Sequence, residues 1–175
     1  MIINERENRQ DRILNVALAM LNAARTAPKG RGLDFVEACV VTGEDINRLS
    51  DEMLRLFEQT GKPVFNRDGH NILQAEAIVL IGVKKSPIGL NCGFCGFPTC
   101  ADKPKSAPCA FNAIDTGIAV GSAVSIAADM RVDTRVMYSI GVAAMNLKLL
   151  GDNVDLVFGI PLSCTSKNPF FDRQP

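Results

Sequence analysis

A chain of 175 residues is long enough to bury one hydrophobic core, and 47% hydrophobic against 22% charged residues is ordinary globular composition. Lysine plus arginine and aspartate plus glutamate number 19 each, so no strong field draws nucleic acid or an anionic membrane surface. Charge crowds the first residues (Glu5, Arg6, Glu7, Arg9, Asp11, Arg12), which argues against a secretory signal, and the apolar run Gly117 to Ala128 is short for a bilayer. The reading is a single cytoplasmic domain over 1–175, with neither membrane nor nucleic acid among its partners.

Glu5 to Ala24 has the period of an amphipathic helix, with Ile13, Ala17, Met20 and Ala24 on one face. The turn Arg25-Thr-Ala-Pro-Lys-Gly-Arg-Gly follows, with Arg25, Lys29 and Arg31 supplying three cations within seven positions. Phe35 to Val41 reads as a short strand in which Cys39 is a small core residue. Asp45 caps a second helix to about Gln59, buried through Ile46, Leu49, Met53 and Leu56 and stopped by Gly61-Lys62-Pro63. Asn66 to Asn71 reads as a polar turn holding the single histidine, His70, which fits a surface position better than a ligand or base. Glu76 to Val83 is a second strand whose unbroken apolar run predicts burial on both faces.

That strand leads into Asn91 to Cys109, the segment with the strongest chemical signal. Cys92, Cys95, Cys100 and Cys109 are spaced C-x2-C-x4-C-x8-C, interleaved with Gly93, Gly96, Pro98, Pro104 and Pro108. The prolines exclude a regular helix or a central strand, so residues 91–110 form a loop around something. Four thiolates suit one soft metal centre. An iron–sulfur cluster takes four thiolates from short loops, and Gly93 and Gly96 would turn backbone N–H groups toward the sulfurs. Structural zinc is the alternative, although it usually takes two separated C-x2-C knuckles, and a disulfide pair is the third option.

Beyond the loop, Asn112 caps a long helix to about Asp129, with Asp115 in a capping-box-like position. Gly117, Gly121 and Ser125 form a small-residue stripe, equally suited to internal helix packing or a subunit contact. Arg135 to Tyr138 is a short strand, Ser139 caps a helix ending at Gly151, and Val154 to Leu162 is the last strand. Cys164 follows it, and a tail continues through Lys167 and Arg173. Interleaved helices and strands give an α/β or α+β domain around one sheet.

Three resemblances attach to these residues. Cys92-Gly-Phe-Cys-Gly-Phe-Pro-Thr-Cys100 resembles the start of small four-cysteine [4Fe-4S] domains, although Cys109 lies closer to Cys100 than the fourth cysteine does there. The chain from the Ala24-Arg-Thr-Ala-Pro-Lys-Gly-Arg turn onward resembles a prokaryotic family containing a ferredoxin domain. The turn at Arg25 and Lys29, the strand end Gly159-Ile160-Pro161 and the basic tail also resemble the FMN-dependent nitroreductase fold. Departures are the basic spacing, the short chain and the cluster loop inserted mid-chain. The nitroreductase resemblance implies an α+β class, a nitroreductase-like mixed sheet flanked by helices. It also implies a homodimer, with Arg25, Lys29, Lys167 and Arg173 gripping a flavin phosphate.

Together these features predict an iron–sulfur oxidoreductase or electron-transfer protein, with Cys92, Cys95, Cys100 and Cys109 on a [4Fe-4S] cluster, FMN as a second cofactor and a redox protein as partner. A zinc-stabilised, non-catalytic interaction module is the alternative. No phosphate-binding glycine loop is present, and Cys164 has no motif that marks it as a nucleophile.

Overall fold

The computed structural model describes residues 1–171. In chain order the elements are α1 (Arg9–Thr26), a 3₁₀ turn (Gly30–Gly32), β1 (Val36–Val41), α2 (Glu44–Thr60), α3 (Pro63–Ile72), β2 (Ala77–Lys84), α4 (Ala110–Asp129), β3 (Asp133–Thr134), α5 (Tyr138–Asn146) and β4 (Val154–Ser163). The strands form one sheet in the order β1-β2-β4-β3, and every pairing is antiparallel.

Both faces of β2 are covered, as its apolar run predicts. Ala77, Val79 and Ile81 face a core shared with α1 and α4, while Ile78 and Leu80 face one shared with α2, α3 and α5. This period-two division makes the domain three layers, helices on either side of a sheet. Helix α1 buries Ile13, Val16, Ala17, Met20 and Ala24. It starts at Arg9 rather than Glu5, because Asn4 takes the Arg6 N–H on its Oδ1 and the Asn8 amide on its carbonyl, closing a local turn first.

Four boundaries differ from expectation. Helix α2 stops at Thr60 on a left-handed Gly61, as expected, but Pro63 then opens α3 at its first position, where a missing N–H costs nothing. The expected polar turn Asn66–Asn71 is therefore helical. Phe65, Asp68, Gly69 and Ile72 face inward, and Gly69 brings α3 close to α2: a Cβ there would lie 3.4 Å from Met53 Cβ. Helix α2 is preceded by Gly43 rather than capped by Asp45, and Glu44 and Asp45 both occupy its first turn. Helix α5 ends at Asn146, before Lys148 takes a positive φ of 55°, and the short strand is Asp133–Thr134, two residues early.

The α5–β4 contact is the tightest in the fold. A Cβ on Gly141 would lie 1.6 Å from the Val157 carbonyl oxygen, and one on Gly159 2.2 Å from Ile140 Cγ2. Helix α4 spans 20 residues with mean hydropathy 1.3, long and apolar enough by length and composition to cross a membrane. Its inner side packs on α1 and the sheet through Ala119, Ala123 and Ala127. Gly117, Gly121 and Ser125 lie on its exposed side, and nothing stands within 4 Å of a Cβ built on either glycine. Internal packing thus does not account for this stripe.

Candidate metal centre

Residues 85–109 connect the end of β2 to the start of α4, and the four cysteines of this connection line one small cavity with Ile88, Asn91 and Phe97. Cys109 is buried as the N-cap of α4, Cys95 and Cys100 are half-buried, and Cys92 is exposed. Gly93 and Gly96 have φ of 73° and 85°, the left-handed region expected of them. Their turn closes on itself, however: the Gly96 N–H donates to the Gly93 carbonyl at 2.9 Å rather than to a sulfur. Asn91 supplies the sulfur contact instead. Its backbone N–H lies 3.4 Å from Cys100 Sγ, and its Oδ1 accepts the Cys100 N–H at 2.8 Å. Thr99 and Asp102 cross-bond at 2.7 to 3.3 Å, and Phe94 stacks on Phe111 with centroids 5.6 Å apart. Among the described residues, no three His, Cys, Asp or Glu side chains stand together as a ready metal-ligand group. The thiols border a common cavity without meeting at a point. All six cysteines are free, so no disulfide competes for them.

Three buried or half-buried ties hold this loop to the layers beneath. Asn112 does not cap α4. Its Nδ2 donates to the Lys84 and Ser86 carbonyls at 3.1 and 2.8 Å, pinning the start of the helix to the end of β2. Asp115, buried in α4, takes the Gly30 N–H on both carboxylate oxygens at 3.0 Å. Arg31 Nη1 donates to the Ile88 carbonyl at 2.9 Å. The basic turn after α1 is thus fastened to the cysteine loop.

That turn uses its cations internally. Lys29 Nζ donates to the carbonyls of Ala24, Arg25 and Ala27 at 3.0, 2.6 and 2.7 Å, which matches the three donors of an ammonium and caps the end of α1. Arg25 Nη1 bonds Asp34 at 2.7 Å and the Val36 carbonyl at 2.8 Å. Burial pushes the Asp34 carboxyl up, but the Arg25 hydrogen bond and the charges of Arg25 and Lys29 outweigh it and hold the group below the usual carboxylate range. The predicted phosphate grip is therefore not assembled within one chain. Arg25 and Lys29 lie at the end of the sheet where Val36 faces Val83, whereas the tail carrying Lys167 leaves β4 at the other end, where Leu162 faces Ala77. The ten residues of β4 separate these ends by roughly 30 Å. Arg173 lies outside the described residues.

At the tail end, Cys164 lines a cavity of about 260 Å³ with Arg9, Arg12, Asn15 and apolar residues of α1. His70 is exposed, its Nδ1 2.8 Å from the Asn66 carbonyl one helical turn back. Cys39 packs against the α2 and α5 side of the core, and burial pushes its thiol up. Sequence reasoning missed Asn91, Asn112 and Asp115 as loop anchors. Only Asn91 carried a signal, an asparagine beside glycine-rich turns, where a left-handed φ (here 51°) is tolerated best.

The layering of helices about an antiparallel sheet defines an α+β protein of the nitroreductase fold, as comparison with solved structures shows. A nitroreductase with bound FMN from Desulfitobacterium hafniense superposes with a TM-score of 0.62 at 15% identity, covering 91% of this chain and 82% of that one. The nitroreductase CinD from Lactococcus lactis, in complex with nicotinic acid, gives 0.65 at 13% identity over 88% and 79%. One with bound FMN from Bacteroides fragilis gives 0.61 at 12% identity over 92% and 82%. In sequence, the chain is 40% identical to an uncharacterised protein from Archaeoglobus fulgidus over 100% of its own length and 99% of the relative's. It belongs to the family described as uncharacterised protein containing a ferredoxin domain (DUF2148), whose profile matches residues 105–173. That match includes Cys109 and not the first three cysteines.

Proposed function

We propose that this chain is an iron–sulfur redox protein in which Cys92, Cys95, Cys100 and Cys109 hold a [4Fe-4S] cluster. The observation that carries this reading is that all four line one small cavity from a single loop, with a backbone N–H directed at Cys100 Sγ. The donor set fits such a centre: four soft thiols, a low share of competing oxygen ligands and an N–H···S contact of the kind that tunes cluster potential. Cys109 also lies at the positive end of a 20-residue helix, which suits a group carrying negative charge. When bound, the cluster supplies one-electron chemistry. The chain's own residues position the thiols and exclude water on the Cys109 side.

Reduction of an organic substrate with the help of FMN is the second reading, supported by the fold shared with FMN-bound nitroreductases. Lys29 leaves that proposal because all three of its donors serve the turn, whereas Arg25 commits only its Nη1, to Asp34 and the Val36 carbonyl. A flavin phosphate would also meet guanidinium groups near the start of the tail, where Arg12 and Arg9, the latter paired with Glu5 at 3.1 Å, line the 260 Å³ cavity, with Lys167 and Arg173 following in sequence. The exposed face of α4, with Ile114, Gly117, Ile118 and Gly121, supports a homodimer, and six free cysteines agree with a cytoplasmic setting.

The deciding experiment is a visible spectrum of anaerobically purified protein, with iron, sulfide and zinc assayed on the same sample. About four irons and four sulfides per chain, with the brown absorbance lost in Cys95→Ser, is the expected result. Zinc without sulfide would replace the redox reading with a zinc-stabilised interaction module.

A further inference from the structure

The chain is neutral overall, yet its cysteine loop is not. Between residues 84 and 109 there are four lysines (Lys84, Lys85, Lys103, Lys105) and one acid, Asp102. The fold gathers all four lysines around a second shallow cavity that adjoins the first, with Cys109 in the wall of both. Asp155 is the acid in that wall, and Lys84 is paired with Glu37 at 2.8 Å. Lys103 bonds only neutral carbonyls, those of Pro104 and Ala107, so its charge is not cancelled. Lys85 and Lys105 are exposed, and their side chains have no hydrogen bond or ion pair with any described residue. Three cations of this rim, Lys85, Lys103 and Lys105, therefore stand beside the thiols without an ion pair, with Asp155 the acid in the same wall.

We propose that this lysine rim is the docking surface for a small acidic electron-carrier protein, a deepening that rests on the cluster reading above. A one-electron centre needs a partner that delivers or removes single electrons, and docking must bring the partner's own centre close to the thiol cavity. A compact cationic rim beside that cavity orients an acidic partner and raises its encounter rate. The patch is small and the chain carries no net charge, which fits a protein of complementary charge better than a long polyanion. In the exchange one electron leaves the reduced carrier and enters this protein; no bond is made or broken and no proton transfer is required.

The test uses cluster-loaded full-length protein and a plant-type acidic [2Fe–2S] ferredoxin as the probe. Binding is measured by calorimetry at about 0.02 M and about 0.3 M ionic strength, a range that shortens the screening length several-fold. Reduction by chemically reduced ferredoxin is followed by stopped flow on the same samples. Binding and rate should each fall about tenfold or more at the higher salt and in K85E/K105E, while dithionite reduces wild type and variant alike. Unchanged binding in K85E/K105E, or tighter binding of a short RNA duplex than of ferredoxin, would overturn the proposal. Iron and sulfide assays on these samples report the cluster reading separately: their absence sinks that reading, and the binding curves still judge the surface.

Discussion

Asn91 performs two jobs that a pair of substitutions separates. It holds a left-handed φ of 51° and its Oδ1 accepts the Cys100 N–H at 2.8 Å. Asn91→Gly removes the hydrogen bond but leaves the backbone at ease, costing about 1 kcal/mol. Asn91→Ala removes the same bond and forces a Cβ into the left-handed region, adding roughly another 1–2 kcal/mol. The backbone N–H that points at Cys100 Sγ is untouched in both. If the metal centre is lost through opening of this loop, every 1.4 kcal/mol is about tenfold in the open population. Iron loss to a chelator under anaerobic conditions should then rise about fivefold in Asn91→Gly and about fiftyfold in Asn91→Ala. Circular dichroism melts should stay close to wild type, because the loop lies outside both apolar cores. Equal rates for the two variants would refute the argument from φ, and wild-type rates for both would show that this turn does not guard the centre.

Two further predictions concern the scaffold. Gly141→Ala places a methyl where the Val157 carbonyl oxygen already sits, so α5 must lift from β4. The expected loss is about 3 kcal/mol, a fall in Tm of roughly 6–12 °C; a melt within about 2 °C of wild type would refute the packing argument. Glu52 is held below the usual carboxylate range by its hydrogen bond from Arg55, with burial opposing and Asn146 reinforcing. Its contribution is fully present above the unfolded value of about 4.3 and is lost as pH falls through the lower folded value. Glu52→Gln should therefore flatten the acid limb of the stability curve below about pH 4.3 and leave its slope above about pH 6 unchanged, as read by denaturant titration at each pH.

The layers were legible because period carries them. The unbroken apolar run of β2 and the stripes Ile13-Ala17-Met20-Ala24 and Ile46-Leu49-Met53-Leu56 read directly as buried faces. What failed to read were residues whose local preference is overridden by a distant partner. Asn112 looks like an N-cap, but the carbonyls of Lys84 and Ser86 claim its amide. Lys29 looks like a phosphate ligand within a cation cluster, but three carbonyls at the end of α1 lie within reach and take all its donors. Gly69 looks like a turn residue, but it lies buried in α3 against Met53 and Leu54 of α2, where its carbonyl accepts the Ser50 hydroxyl at 3.0 Å. For the candidate site, cysteine spacing showed which residues to watch. It could not show that Asn91 rather than a glycine would present an N–H to sulfur, since that depends on how the turn closes.

The loop's architecture assigns unequal roles to its four thiols. Cys109 alone adjoins a regular element: it is the N-cap of α4, whose first turns are held to β2 by Asn112 and to the α1–β1 turn by Asp115. Cys92, Cys95 and Cys100 depend on short-range bonds of the loop itself, those of Gly93–Gly96, Asn91–Cys100 and Thr99–Asp102. Arg31 then ties the loop's entrance, at Ile88, to the same turn that Asp115 holds. A binding site works when its ligands are fixed by supporting contacts, and this one has a rigid side and an adjustable side. The rigid side sets where a centre sits relative to the sheet. On the cluster proposal the other side would have to bring its three sulfurs inward, because the four thiols border one cavity without converging.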